Sequence, residues 1–220
     1  MSFSDPNALL VKHTPVYYTA CNEAEEPVNL TTYMRSALCE KDKTVSGVCQ
    51  LLPTAGALLH YFLFFMRDTG MSIFGINGVG GHDYDIEQVV IELGADANVK
   101  AVFYMPHSAS EHFCVSDEAD LNMILVDGVR PRVYVSHGKH AQYPVPGTVR
   151  RYLGLANDTC KLPVRQEFGV TVLDKDIRDS VSIGTFEGIK KRLEPAVLNV
   201  PTVRINLLRN RMLCKLRLYQ

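Results

Sequence analysis

Apolar residues form their longest run between Leu58 and Met66, which is rich in aromatic side chains and bounded by Gly56 and Asp68. Such a segment is typical of a buried strand. The apolar stretch from Ala55 to Met66 spans only about twelve residues, whereas a transmembrane helix needs roughly 20, and His60 interrupts it. The pattern therefore predicts a central strand and no membrane-spanning helix.

Shorter strand-like segments recur along the chain, separated by Gly, Pro, Asn and Asp residues. The predicted strands are Leu9–Val11, Val16–Thr19, Leu58–Met66, Gln88–Leu93, Val99–Tyr104, Met123–Val126, Arg132–Ser136, Val170–Leu173 and Thr202–Leu207. The predicted helices are fewer and short, namely Leu30–Ala37, Asp179–Ser182 and Thr185–Leu193. This balance predicts a mainly β fold, an antiparallel β-sandwich with a few short helices. With no repeat or linker in the sequence, we expect residues 1–220 to form a single domain.

A cluster of potential metal ligands directly precedes the predicted strand Gln88–Leu93. The preceding residues, 81 to 87, have the sequence GHDYDIE and follow a glycine-rich approach. On a strand, Asp83, Asp85 and Glu87 share one face, where three carboxylates repel each other unless a cation lies among them. Oxygen-rich sites suit hard cations, so the pattern favours Ca²⁺, Mg²⁺ or Mn²⁺ over Zn²⁺. The alternative is a solvated turn whose acidic side chains face water.

A second polar cluster follows the predicted strand Arg132–Ser136. It contains His137, Lys139, His140 and Tyr143 in a loop with Gly138 and Pro144. Two histidines three residues apart can act as ligands or as proton carriers. The alternative is that they only hydrogen-bond to the loop backbone. We expect these four side chains, together with Asp83, to surround the metal ligands or to contact a bound ligand.

The segment from Leu58 to Gly147 resembles proteins related to vacuolar protein sorting protein sixty-two. These proteins carry a Val-Tyr-Val-(Ser/Ala)-x-Gly-x-His-Ala-x-Tyr-Pro motif, and this chain has VYVSHGKHAQYP from residue 133 to 144. They also carry an acidic motif on a strand, which corresponds here to GGHDYDIEQVVIEL. The resemblance implies that both clusters belong to one β-sandwich.

The acidic motif also resembles the Gly-His-Arg-His-Asp-Trp-Glu heptapeptide of the necrosis-inducing, Nep-like proteins, which are secreted cytolysins built on a β-sandwich. This resemblance implies metal ligands at His82, Asp85 and Glu87, and a fourth at Asp68, just after the aromatic strand. Because those proteins are cytolysins, the resemblance also implies possible contact with a membrane surface. The chain departs from the heptapeptide where Tyr84 and Ile86 replace the second His and the Trp.

Catalysis is not favoured by the sequence. No serine or cysteine lies in a recognisable nucleophile frame, because Ser136-His137-Gly138 is not a nucleophile elbow. We therefore expect a non-enzymatic protein. A metal-dependent hydrolase, in which His137 or His140 works with Asp85 or Glu87, is the enzymatic alternative.

Charge, termini and cysteines limit the partners. The formal net charge of −1 gives no electrostatic footprint for nucleic acid. The first ten residues, MSFSDPNALL, lack the basic and apolar regions of a signal peptide, so we expect an intracellular protein. Six cysteines without a C-x-x-C pair are expected to be mostly buried thiols.

A structural, self-assembling protein is the remaining alternative, such as one that forms viral occlusion bodies or other crystals. Apolar residues alternate from Cys214 to Tyr219, as in a strand that could extend a neighbouring sheet. We accordingly expect a homo-oligomer or a larger assembly of identical chains.

Overall fold

The computed structural model describes residues 3, 5–20, 27–28, 44–52, 56–73, 76–108, 111–150, 157–160 and 163–172. Two short helices and fifteen strands lie within these ranges. The helices are α1 (Pro6–Lys12) and α2 (Glu118–Ile124). The strands are β1 (Val16–Ala20), β2 (Thr44–Leu52), β3 (Gly56–Asp68), β4 (Met71–Ile73), β5 (Ile76–Val79), β6 (His82–Leu93), β7 (Val99–Ser108), β8 (Glu111–Val115), β9 (Leu125–Val126), β10 (Arg130–Val135), β11 (Gln142–Tyr143), β12 (Gly147–Val149), β13 (Asp158–Cys160), β14 (Pro163–Gln166) and β15 (Gly169–Val172).

Most of these strands belong to two sheets. The larger sheet has the order β15-β2-β3-β6-β7-β8, and the smaller one has the order β11-β10-β1-β14, with β9 paired to β10. β4 pairs with β5, and β12 pairs with β13, as separate two-stranded ladders. β1 pairs with β10 and β15 with β2 in parallel, while the other described pairs are antiparallel. The prediction of a mainly β, sandwich-like fold is confirmed, with sheets that are mixed in direction.

The core lies between the two sheets, and β3 is its central strand. Alternate β3 side chains such as Tyr61 and Phe65 form one buried cluster with Tyr17 and Val133 of the smaller sheet. The opposite face of β3 is buried as well, as Phe62 shows with 1% of its surface exposed. Burial on both faces explains why the β3 sequence is continuously apolar instead of alternating. Each large side chain buried in this way contributes roughly 1.5–3 kcal/mol.

Several predicted strands are confirmed, although their limits change. The predicted strand Leu58–Met66 lies inside β3, and Gln88–Leu93 lies inside β6, which begins six residues earlier at His82. The acidic motif is therefore part of a strand and not its approach. The segments Val16–Thr19, Val99–Tyr104, Arg132–Ser136 and Val170–Leu173 correspond to β1, β7, β10 and β15 over their described residues.

One predicted strand is wrong, and another is confirmed only over its last two residues. Leu9–Val11 lies in α1, because Asp5 caps that helix by accepting hydrogen bonds from two backbone N–H groups, and Pro6 occupies its first turn. In the segment Met123–Val126, the first two residues belong to α2 and only the last two form β9. An apolar run of three or four residues has no periodicity that distinguishes a strand from a helical turn.

Other predictions lie outside the described residues, and some strands were not predicted at all. The helices Leu30–Ala37, Asp179–Ser182 and Thr185–Leu193, the strand Thr202–Leu207 and the alternation from Cys214 to Tyr219 fall outside the described ranges. The strands β2, β4, β5, β8 and β11 to β14 were not predicted. Over the ranges that are described, no helix is long and apolar enough to cross a membrane.

Candidate functional site

The four predicted metal ligands lie at the shared end of β3 and β6. His82, Asp85 and Glu87 belong to β6, and Asp68 is the last residue of β3. The antiparallel register places His82 opposite Asp68. Paired residues share a face of the sheet, so the two side chains lie together, with His82 Nε2 3.7 Å from Asp68 Oδ2.

Asp85 and Glu87 point towards the core between the sheets. They pair with Phe65 and Leu63 of β3, both of which belong to the inter-sheet core. Asp85 is 8% exposed and Glu87 only 2%. Carboxylates buried to this extent cost free energy unless hydrogen bonds, ion pairs or a cation compensate them.

His140 is the partner that the structure gives to Asp85. Its Nδ1 lies 3.1 Å from Asp85 Oδ2, so a hydrogen on Nδ1 can be donated to that oxygen. The imidazole stacks on Phe65 with ring centroids 3.7 Å apart and planes 4° from parallel, and the residue is fully buried. His140 is thus held between an aromatic ring and a carboxylate.

The loop that carries His140 folds tightly and docks on the end of β3. Within the loop, Ser136 N donates to Ala141 O and His140 N donates to Ser136 O. Thr69 donates to Gly138 O from its backbone N, at 2.8 Å, and from its hydroxyl, at 2.9 Å. The Cβ of any other residue at position 138 would clash with the Thr69 hydroxyl, and the φ of Gly138 is +70°. Only glycine fits this position without displacing the loop.

Asp68 connects the loop and the acidic strand electrostatically. Its Oδ1 accepts a hydrogen bond from Gly70 N at 2.6 Å. Burial raises the pKa of Asp68, the Gly70 bond opposes that change, and the charge of Asp85 raises the pKa further. Smaller effects of His82 and His140 lower it. Asp68, His82, Asp85 and His140 therefore form one group of interacting titratable side chains.

Lys139 and Tyr143 join a different polar contact. Lys139 Nζ lies 3.1 Å from Asp158 Oδ1 and donates to Asn157 O at 3.1 Å. Tyr143 donates its hydroxyl hydrogen to Asp158 Oδ2. The Lys139–Asp158 pair is almost completely buried, with side chains 8% and 0% exposed. These two predicted residues thus fasten the loop to β13, and nothing around Asp158 in the sequence indicates this role.

The remaining predicted residues, Asp83 and His137, are exposed. Asp83 pairs with Arg67 in the β3–β6 register. The backbone N of His137 donates to Thr159 O. Both residues lie in the segments that carry the site, but their side chains face solvent.

Two further polar residues, Ser136 in the same loop and Gln142 at the start of β11, are fully buried and are not among the predicted site residues. Both polar atoms of the Gln142 amide and the Ser136 hydroxyl lack a hydrogen-bond partner among the described residues. A buried polar atom without a partner costs about 1–3 kcal/mol. A bound water or ion would supply a partner, so these orphaned groups fit a site that takes a further ligand. Their types are too common in loops to give a sequence signal.

The chemical types of these side chains suit a hard cation, but their present arrangement does not. Carboxylate and amide oxygens are the ligands that Ca²⁺ and Mg²⁺ prefer, and the structure places His140 beside Asp85, and Gly70 N and His82 beside Asp68. Across the described ranges, however, no three His, Cys, Asp or Glu side chains are arranged to hold a metal ion. Binding would therefore require some of these side chains to change rotamer.

No family model and no curated protein match the chain. Among solved structures, a similar one is described as necrosis and ethylene inducing protein 2 from the causal agent of cocoa's witches' broom disease. The TM-score is 0.43 with 18% sequence identity, over 64% of this chain and 69% of that chain. The resemblance to proteins related to vacuolar protein sorting protein sixty-two gains no support from these comparisons. A likeness at this level identifies neither a family nor a function for this chain.

Proposed function

We propose that the chain is a non-catalytic β-sandwich protein that binds one divalent cation at the shared end of β3 and β6. The ligands are Asp68, His82, Asp85 and Glu87. Oxygen donors predominate in this set, so the cation is Ca²⁺, Mg²⁺ or Mn²⁺ in preference to Zn²⁺.

The observation that carries the proposal is the clustering of acidic side chains in a partly buried part of the β3–β6 pair. Asp85 and Glu87 are buried on one face of one strand. The pKa of Asp68 is raised by burial and by the neighbouring charge of Asp85. A carboxylate whose pKa is raised by a neighbouring carboxylate gains from a cation placed between the two.

The geometry also indicates what each group would contribute. Asp85 Oδ2 receives the hydrogen bond from His140, so its other oxygen is the one to ligate. Asp68 Oδ1 accepts the hydrogen bond from Gly70 N. The other oxygen of Asp68, Oδ2, lies on the side of His82 and would be the metal ligand. His140 would then orient a ligand carboxylate from outside the coordination shell, as partners of metal ligands commonly do.

The burial of His140 supports a non-catalytic role. A general base must reach the proton that it removes from a substrate. His140 is completely buried between Phe65 and Asp85.

The test is a titration of chelator-treated protein with Ca²⁺, Mg²⁺ and Mn²⁺ by calorimetry, with thermal unfolding measured in parallel. We expect binding of one ion, and stabilisation of about 2.7 kcal/mol when the free cation is 100 times its Kd. Asp85→Asn keeps the size and an acceptor for His140 but should weaken binding strongly. Asp127→Asn, in an exposed turn, is the matched control and should bind as the wild type does. Absence of binding, or equal binding by Asp85→Asn, would refute the proposal.

A further inference from the structure

A separate pocket lies between α2 and β10. Its volume is about 250 Å³, and residues of α2, β10 and the turn at Pro144–Pro146 line it. Met123 and Val145 stand at its rim with 65% and 57% of their surfaces exposed. Neither Asp68 nor Asp85 lines this pocket, so it is distinct from the acidic cluster.

Arg132 supplies a positive charge with unfilled hydrogen-bonding capacity. Its Nη1 donates to Met123 O at 3.2 Å. Its Nε is buried and has no hydrogen-bond partner within the described ranges. A guanidinium does not lose its charge in proteins, and its N–H groups pair best with a carboxylate or phosphate. The wall formed by Arg132 therefore favours an anionic group.

Asp120 places the opposite charge on the same pocket. It precedes Met123 and Ile124 by three and four residues on α2, a spacing that puts all three on one face of the helix. The remaining lining residues are uncharged, and most are apolar. A simple anion would be repelled by Asp120, and a simple amine would be repelled by Arg132. A ligand with both charges can place its carboxylate towards Arg132 and its ammonium towards Asp120.

We infer that this pocket binds a small zwitterion with an apolar side chain, and that an apolar α-amino acid is the simplest such ligand. Its carboxylate pairs with Arg132, its ammonium pairs with Asp120, and its side chain packs against Ile124 and Val145. The volume suits a ligand of this size, because sites for drug-sized molecules usually occupy roughly 300–1,000 Å³. This inference does not depend on the cation site.

The test compares three ligands on the wild-type protein by calorimetry. L-Leucine carries both charges, 4-methylpentanoate lacks the ammonium, and 3-methylbutylamine lacks the carboxylate. We expect leucine to bind at least about tenfold more tightly than either analogue, since each lost charged hydrogen bond is worth about 1.5–3 kcal/mol. Leucine binding no tighter than that of its analogues, or absence of leucine binding at millimolar concentration, overturns the inference.

Variants then assign the two charges. Asp120→Asn should weaken leucine and the amine but not 4-methylpentanoate, whereas Arg132→Met should weaken leucine and the carboxylate but not the amine. Val145→Trp, at an exposed rim position, should block all three ligands without disturbing the core. Asp127→Asn serves as the control for a lost surface charge. Leucine binding that is unchanged in both Asp120→Asn and Val145→Trp contradicts the assignment, and the wild-type comparison holds even where Arg132→Met fails to fold.

Discussion

At the scale of single residues, His140 is the side chain on which the site depends most. It is fully buried, stacks on Phe65 and satisfies one oxygen of the buried Asp85. Its φ of +58° is in the left-handed region, which few residue types occupy without strain. The surroundings therefore hold His140 in one place, and its loss would leave a buried carboxylate without its partner.

We expect His140→Ala to lower the free energy of unfolding by about 3 kcal/mol. The substitution removes the ring that fills the space beside Phe65 and the donor that compensates Asp85. Denaturant unfolding at neutral pH measures the change. His137→Ala, in the same loop but exposed, should change the value by less than about 0.5 kcal/mol. Equal effects of the two substitutions would show that the buried contact has no special weight.

Asp68 gives a prediction with a defined pH dependence. Its folded-state pKa is raised, chiefly by burial, so its contribution to stability is present below the unfolded value and is lost as the pH rises through the folded value. In chelator, Asp68→Asn should therefore be more stable than the wild type at neutral pH, and the difference should vanish below the ordinary pKa of aspartate, 3.8. Asparagine retains an oxygen to accept the Gly70 hydrogen bond. Unfolding curves from pH 3 to 7 provide the measurement, and a constant difference across that range would contradict the prediction.

At the scale of elements, the end of β3 and the loop from Ser136 to Ala141 are joined through Thr69 and Gly138. The join brings a loop of the smaller sheet against the end of the larger one. It therefore sets the distance between His140 and the acidic residues of β6.

Two glycines with the same backbone conformation allow this join to be tested. Gly138 and Gly128 both have φ of +70°, but only Gly138 would place a side chain against another group. We expect Gly128→Ala to cost about 1 kcal/mol from backbone strain, and Gly138→Ala to cost clearly more and to weaken cation binding. Denaturant unfolding and calorimetry provide the two measurements. Similar costs for both variants would mean that the loop moves away from Thr69 without penalty.

The elements also show which features a sequence can predict. The apolar run Leu58–Met66 predicts β3 because burial on both faces leaves a continuous apolar signal. The strand predicted at Leu9–Val11 is wrong because a residue outside that run determines its conformation. Asp5 caps the helix there by accepting two backbone hydrogen bonds. Strand propensity begins only at Gln88, so the sequence predicts the acidic segment as the approach to a strand, whereas pairing with β3 extends β6 back to His82.

At the scale of the whole molecule, the two-sheet architecture follows from the strand patterns, but the composition of the site does not. Which candidate residues meet depends on strand register and on how the loop docks. Asp83 and Asp85 share a face of β6, but register pairs Asp85 with Phe65 of the core and Asp83 with Arg67 nearer the strand end, where it is exposed. Docking gives His140 to Asp85 but Lys139 to Asp158. None of these pairings has a short-range sequence signal. A single domain and a homo-oligomeric assembly stay predictions.

Acid stability of the whole fold should depend on His60, in the middle of β3. It is fully buried, neither ring nitrogen has a hydrogen-bond partner within the part of the chain that the structure describes, and burial lowers its pKa from 6.5 to about 4. A lowered histidine pKa means that stability is lost as the pH falls from 6.5 towards 4, by roughly 3 kcal/mol. His60→Leu should flatten this part of the stability profile measured by denaturant unfolding. An unaltered slope in the variant would assign the acid sensitivity to other groups.

The most direct test of the central claim is to locate the cation. A crystal grown with Mn²⁺ should show one strong anomalous-difference peak between Asp68 and Asp85, within ligating distance of their carboxylate oxygens, with His140 still bonded to Asp85 Oδ2. A map without a peak there, or with Mn²⁺ bound only at other acidic residues such as Asp96 or Glu167, would contradict the account.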